Sequence, residues 1–212
     1  MCTVREMRVG DVPEVVRVHL ASFPGFFLSF LGPRFLRLLY GEILRQPDHV
    51  ALVGLNAAGK VTGFVAGVEK QTGFYARLAR RRWWAFGWAA VGAALRRPSV
   101  LPRLCRAFTY SRRAGEAACE ALLLSVAVLP EAQGTGLGQA LVHEFLGQMA
   151  RRHVGQVSLT TDQDNNERVN RFYRRLGFQL ARTYVTHEGR KMNEYIIPVS
   201  SPPALPQQTQ SV

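Results

Sequence analysis

A chain of 212 residues that is 47% hydrophobic and 20% charged can bury a full core in one domain and is too apolar for a disordered protein. Its formal net charge of +12 calls for an anionic partner: nucleic acid, a phosphorylated cofactor, anionic lipid or an acidic sugar. The opening MCTVREMRVGD lacks the unbroken apolar run of a secretory signal, and Cys2, Cys105 and Cys119 fit neither a CxxC nor a His/Cys pattern, so the expectation is a cytoplasmic protein with reduced thiols and no metal.

Met1 to Met7 reads as a short strand, after which Asp11 can cap a helix carrying Val12, Val15, Val16 and Leu20 on one side. The aromatic stretch SFPGFFLSF follows. Pro33 is a favoured first-turn residue for a second helix, which runs through Phe35, Leu36, Leu38, Leu39, Ile43 and Leu44. HVALVGL and KVTGFVAGV flank the turn NAAG, where Gly59 is available for positive φ, and together they predict a β-hairpin. Between Glu69 and Glu116 the composition changes, and residues 70–115 read as an insertion. Eleven basic residues and no Asp or Glu fall between Lys70 and Gly115, so nearly all the net charge lies there.

From Glu120 onward EALLLSVAVLP is apolar on both parities, as in a strand buried on both faces in the middle of a sheet, and Pro130 ends it. A glycine stretch follows, then a helix to about Arg152 with Leu137, Leu141, Phe145 and Met149 on one face. In that helix His143 and Glu144 are followed by His153 only ten residues later, a spacing that cannot bring two imidazoles to one metal on one helix face. QVSLTT is the next strand. DNNERVNRFYRRLGF predicts a helix with Asp164 as N-cap, Glu167 three residues on, Val169, Phe172, Tyr173 and Leu176 on one face, and Gly177 just past its end. Phe178–Val185 and Met192–Val199 read as two final strands around a turn at Gly189, and the Pro- and Gln-rich tail 200–212 as disordered. The fold class is therefore α/β: one domain over residues 1–199, a mixed sheet of about seven strands flanked by helices, with a helical insertion before the central strand.

Gln133-Gly134-Thr135-Gly136-Leu137-Gly138 lies between a strand and a helix, where alternating glycines let backbone amides turn toward an anion at the positive end of the helix dipole. It lacks the Lys and Ser/Thr of a P-loop, and its strict alternation is not the GxGxxG of a dinucleotide site. SVAVLPEAQGTGLGQALV resembles the acyl-CoA-binding motif of the GNAT superfamily of N-acetyltransferases: a strand ending in V-x-P, then Q/R-x-x-G-x-G/A, then a helix. NNERVNRFYRRLGF resembles the second motif of that family, with Asn166, Tyr173, Gly177 and Phe178 at its named positions. The resemblance is strong over about residues 120–180 and rests on element order over residues 1–69.

It implies acetyl-CoA as co-substrate. The amides of Gln133, Gly134, Thr135, Gly136, Leu137 and Gly138 would hold the pyrophosphate, and Val126, Ala127 and Val128 would pair with the pantetheine arm on a central strand that splays from its parallel neighbour. Asn166 resembles the residue that hydrogen-bonds pantetheine, and Tyr173 the one that protonates the departing thiolate, a task suited to a phenol of ordinary pKa about 10. Where some relatives carry a Glu this chain has Leu122, so Glu120, with Glu116 before it, is the candidate base, acting directly or through water. Asp162 and Asp164 read as loop and cap residues.

The expected acceptor is a small-molecule primary amine, with an amino sugar favoured; a protein N-terminus or Lys, or a non-catalytic acyl-CoA-binding or membrane-recruited module, are the alternatives. The core of the insertion, RRRWWAFGWAAVGAALRR, holds thirteen uncharged residues from Trp83 to Leu95. Such a helix rises only about 20 Å, short of the roughly 20 residues of a membrane span. Three readings stand: a helical hairpin packed on the domain, a helix in peripheral contact with an anionic inner membrane surface, or a wall of the acceptor site or homodimer contact. Nucleic acid ranks below these, because the arginines flank an apolar block instead of lining a polar groove.

Overall fold

The computed structural model describes residues 3–70, 87, 120–187 and 189–199. Apart from Lys70 and Gly87, the expectations for the basic insertion lie outside the described residues, as do those for the tail. Seven strands form one sheet in the order β1-β2-β3-β4-β5-β7-β6. They are β1 (Thr3–Glu6), β2 (His49–Leu55), β3 (Val61–Val68), β4 (Ala121–Val128), β5 (Gln156–Asp162), β6 (Gln179–Val185) and β7 (Lys191–Pro198). Every neighbouring pair is antiparallel except β4 and β5, which run parallel.

Side-chain alternation along the central strands builds two cores. Phe64, Ala66, Val68 and Leu122 face one, which is completed by Val15 and Val16 of α1 (Val12–Ser22) and by Phe35 and Leu36 of α3 (Pro33–Ile43). Val65, Leu123 and Val157 face the other, completed by Leu141, Phe145 and Met149 of α4 (Leu137–Arg151). All eight positions of β3 are buried because helices cover it on both sides. Gly67 permits that closeness: a Cβ there would lie 2.5 Å from both the Leu122 carbonyl oxygen and the Phe145 ring.

The hairpin, the proline-initiated α3 and the central crossover stand as expected. At the hairpin turn Gly59 has φ +73°, and Asn56 Oδ1 accepts from the amides of Ala58 and Lys60, both at 3.0 Å. Three local details differ. The aromatic stretch contains a short helix, α2 (Phe27–Leu31), whose nearly all-apolar sequence has no period to announce it. Asp11 stands at the N-cap of α1, but its carboxylate accepts from the Arg8 amide at 2.7 Å and from Arg5 at 2.7 and 2.8 Å. Asp164 does not cap the fifth helix, α5 (Glu167–Arg175); the N-cap is Asn166, because Asn165 occupies the left-handed region at φ 54° and delays the helix past it.

Candidate active site

The two central parallel strands are joined only at their beginnings. Ala121 pairs with Val157 and Leu122 with Ser158, and beyond that β4 has no partner on the β5 side among the described residues. The register of β3 against β4 slips at the same level, from Ala66↔Ser125 to Gly67↔Leu123, which leaves Leu124 as a bulge. A bulge bends and over-twists its strand, so β4 turns away from β5 where their pairing stops. Leu124, Ser125 and Val126 are consequently half-buried in a strand whose first three residues are buried; the expectation of burial on both faces holds only for Ala121–Leu123.

The phase of the remaining ladder fixes what the open edge presents. Leu129 N donates to Thr62 O at 2.8 Å, so alternate residues Ala127 and Ser125 direct their backbone groups to β3, and Val126 and Val128 direct theirs to the opposite edge. The Val128 carbonyl is used there: it accepts from Ser22 Oγ at 3.1 Å and from Gln133 Nε2 at 3.4 Å. The Val126 N–H and C=O face the gap.

The glycine stretch lies at the end of this edge. A 3-10 turn over Pro130–Ala132 reverses the chain, and Thr135 Oγ1 donates back to Ala132 O at 2.8 Å. Gly134 and Gly136 have φ +81° and +84°, conformations that L side chains rarely adopt, and nothing lies within 4 Å of where a Cβ would stand at either. Gly136 is the N-cap of α4 and makes no side-chain cap; the helical ladder starts with Ala140 N donating to Gly136 O at 3.0 Å. The amides of Leu137, Gly138 and Gln139 precede that first bond and are left for an outside acceptor. Gly138 differs from the other two: its φ is not positive and a Cβ there would make only ordinary contacts with Val128 and Phe172.

Across the gap, α5 is pinned to the end of β5. Asn166 Nδ2 donates to Thr161 Oγ1 at 2.8 Å and to Asp162 O at 3.1 Å, which leaves its Oδ1 to accept. Behind it stands Asn170, which sequence reasoning passed over. Its Nδ2 donates to Asp162 O (2.9 Å) and Asn166 O (2.8 Å), while its Oδ1 accepts from Asn193 Nδ2 (2.9 Å) and Tyr195 Oη (3.0 Å). A buried amide with both ends used fixes α5 to β5 and β7 at once. Tyr173 lies one turn further on, packed edge-on to Phe172 and Phe178 with ring centroids 5.3 and 5.6 Å away. Burial alone pushes its phenol pKa above the ordinary value, so it stays protonated throughout the physiological range.

At the mouth of the gap Asp162 is more than the loop residue expected. Arg190 grips it through Nε at 3.1 Å and Nη2 at 2.7 Å, and the same guanidinium lies 5.9 Å from the ring centroid of Phe26, which follows α1. Glu120 sits at the other, joined end of β4, where its Oε2 accepts from the Gly155 amide at 2.6 Å just before β5. There Glu120 holds the start of β5, at the end of β4 away from the open edge at Val126. Leu122, also at the joined end, is buried in the core.

A second group of polar residues was also missed by the sequence. His19 and Tyr40 are buried with relative exposures of 3% and 2%, and His19 Nδ1 lies 2.7 Å from Tyr40 Oη. Tyr40 Oη in turn lies 3.5 Å from Ser125 Oγ on β4. Burial lowers the His19 pKa to about 4 and raises that of Tyr40, so both are neutral near pH 7. His19 and Tyr40 occupy apolar helix faces, and only an i,i+3/i+4 periodicity, which reads them as core, marks them in the sequence.

Comparison with known proteins agrees with this fold. Among curated proteins, GCN5-related N-acetyltransferase 2, chloroplastic, from Arabidopsis thaliana is 38% identical over 69 residues, 32% of this chain; the match spans a quarter, 25%, of that relative's length. Among solved structures, SsHAT superposes with a TM-score of 0.66 at 22% identity, covering 94% of this chain and 98% of that one. The phosphinothricin acetyltransferase of Sinorhizobium meliloti, in complex with AcCoA, gives 0.60 at 15% identity over 96% of this chain and 91% of that one. At these identities the structural likeness speaks for the fold. The model of the acetyltransferase (GNAT) family matches residues 15–178, most of the chain, and the protein belongs to that family.

Proposed function

We propose that this protein transfers the acetyl group of acetyl-CoA to a primary amine by direct attack in a ternary complex. The observation that carries the reading is the continuity of the open edge of β4 with the glycine turn: unpaired backbone groups at Val126 lead to unpaired amides at the start of α4. The residues present fit acetyl-CoA. The positive-φ turn at Gly134 and Gly136 presents amides to its pyrophosphate, and the Val126 N–H and C=O pair with the amide-rich pantetheine as a further strand would. Bound there, acetyl-CoA supplies an activated acyl group on a thioester. Asn166 Oδ1 is free to accept from a pantetheine amide because its Nδ2 is tied to β5.

Tyr173 donates the proton that the leaving sulfur needs. Burial makes its phenol a weaker acid, yet the same burial raises the basicity of a thiolate formed beside it, so donor and acceptor stay matched. Phe26 and Arg190 border the mouth on the acceptor side. The eleven basic residues of 70–115 favour an acceptor that carries phosphate, such as a nucleotide-linked amino sugar.

The experiment is a screen of amine classes (amino sugars, small amines, peptides with free N-termini or Lys) with acetyl-CoA, reading free thiol. Turnover on one class is expected. Tight acetyl-CoA binding with no turnover on any class would assign the protein instead to acyl-CoA binding without catalysis.

A further inference from the structure

The reaction proposed above leaves the acceptor's proton without a destination, because Glu120 lies at the joined end of β4. The face of β4 toward α1 and α3 offers one. There, three polar side chains from three elements meet inside an otherwise apolar layer: His19 from α1, Tyr40 from α3 and Ser125 from β4. Phe23 and Phe64 pack on the imidazole with centroids 4.8 and 6.4 Å away, and its Nε2 is buried with no partner among the described residues. Leaving such a nitrogen unpaired costs about 1–3 kcal/mol, and an aliphatic residue would fill the same space without that cost.

Its location supplies a reason to keep it. Ser125 directly precedes Val126, whose backbone faces the gap, and it follows the bulge at Leu124 that opens the gap. Ser125 is half-buried and reachable, whereas Tyr40 and His19 lie sealed behind it. The line from Ser125 Oγ through Tyr40 Oη to His19 Nδ1 therefore runs from the cleft into the core.

The geometry points to a proton relay, Ser125–Tyr40–His19, that accepts the proton of the acceptor amine during acetyl transfer; it rests on the acetyltransferase reading above. The amine lone pair forms the N–C bond at the thioester carbonyl. The N–H proton passes to Ser125 Oγ as the Ser125 proton moves to Tyr40 Oη and the Tyr40 proton to His19 Nδ1. The C–S bond breaks with its electron pair on sulfur, which takes the Tyr173 proton. After product leaves, the proton on His19 returns along the same line to solvent and solvent reprotonates Tyr173, so the net change is one proton from nitrogen to sulfur. Burial lowers the His19 pKa to about 4, so its Nδ1 is a weak base that carries the proton only transiently before giving it back along the line. In the structure Tyr40 Oη donates to Ser125 Oγ at 3.5 Å, so the relay requires the Tyr40 hydroxyl to rotate onto His19 Nδ1, the nearer of its two partners at 2.7 Å, and Ser125 to donate in its place. Ser125 is the catalytic residue of the three, since it meets the acceptor; Tyr40 and His19 are positioning residues that act through it.

The test uses the full chain, acetyl-CoA and whichever amine turns over, with Tyr40→Phe, Ser125→Ala and the double variant. Both single changes keep nearly the shape of the side chain and are compatible with the fold. The relay predicts that kcat falls about 10- to 100-fold in each, with the KM for acetyl-CoA and the Kd for CoA unchanged within about twofold. The double variant should be no slower than the worse single one, and the solvent deuterium isotope effect on kcat should change in all three. Unchanged kcat in both singles, multiplying losses in the double, or a rise in KM alone would overturn the relay while leaving the transferase reading intact. A wild-type chain that binds acetyl-CoA and acetylates no amine would overturn that reading and the relay with it.

Discussion

The two halves of β4 have similar apolar sequences and opposite fates. Ala121–Leu123 is buried and is the stretch where β4 meets both neighbours, Leu122 and Leu123 pairing with β3 and Ala121 and Leu122 with β5, with Gly67 and Phe145 pressed against it. Among the described residues Leu124–Val128 keeps β3 as its one strand partner and leaves the other edge unpaired beyond Ser158 of β5. The difference teaches that the cleft is made by where pairing stops, not by a polar sequence: an unpaired backbone edge between two apolar cores is a template for an amide-bearing ligand. The joined half should therefore govern stability and the open half turnover, and mutations can separate the two.

The largest effect is expected on the open side. Tyr173→Phe should lower kcat about 10²- to 10⁴-fold, the usual range for a general acid, with CoA affinity retained in a binding titration. Equal turnover would remove Tyr173 from the mechanism. The buried imidazole behind Ser125 predicts a pH effect on stability. The folded pKa of His19 is depressed to about 4, so its contribution is full above the unfolded value near 6.5 and is lost as pH falls toward 4. By pH 4 this amounts to about 2–3 kcal/mol, seen as a fall in denaturation midpoint that flattens in His19→Phe. If the wild-type and variant profiles coincide, the ring is not held neutral by burial.

On the joined side, Gly67→Ala sets a methyl against the Leu122 carbonyl and the Phe145 ring, each at 2.5 Å, and should cost about 1–3 kcal/mol in denaturant unfolding. The KM for acetyl-CoA should move less than stability does; the reverse order would mean that the joined end shapes the cleft directly. The smallest effect belongs to Glu120→Ala, which removes the acceptor of the Gly155 amide at an exposed position and should cost about 1 kcal/mol or less. A kcat loss above about tenfold in this variant would restore Glu120 as the base.

The glycine turn and the helix carrying Tyr173 were legible in the sequence because their causes are local. Positive φ at Gly134 and Gly136 follows from glycine at those positions, and the helix carrying Tyr173 from a 3.6-residue period ended by Gly177, which has φ +92°. Even there the cap was placed two residues early, since nothing in the string DNN says which residue takes the left-handed conformation. The proton path was not legible. His19 meets Tyr40 across 21 positions, Tyr40 meets Ser125 across 85, and Glu120 finds Gly155 across 35. Each of these residues has an ordinary local reading as a core or strand-end side chain.

By itself, then, the sequence determined most of the order of elements, the glycine turn and the helix of Tyr173 through periodicity and short-range backbone chemistry, and its two motifs carried the resemblance to the family. Only the tertiary structure decided where β4 leaves β5, that Glu120 belongs to the joined end, and that Asn170 and the His19–Tyr40–Ser125 line lie behind the cleft. The reason is physical: strand register, a bulge and buried polar contacts depend on which distant segments pack together, and no window of sequence holds both partners.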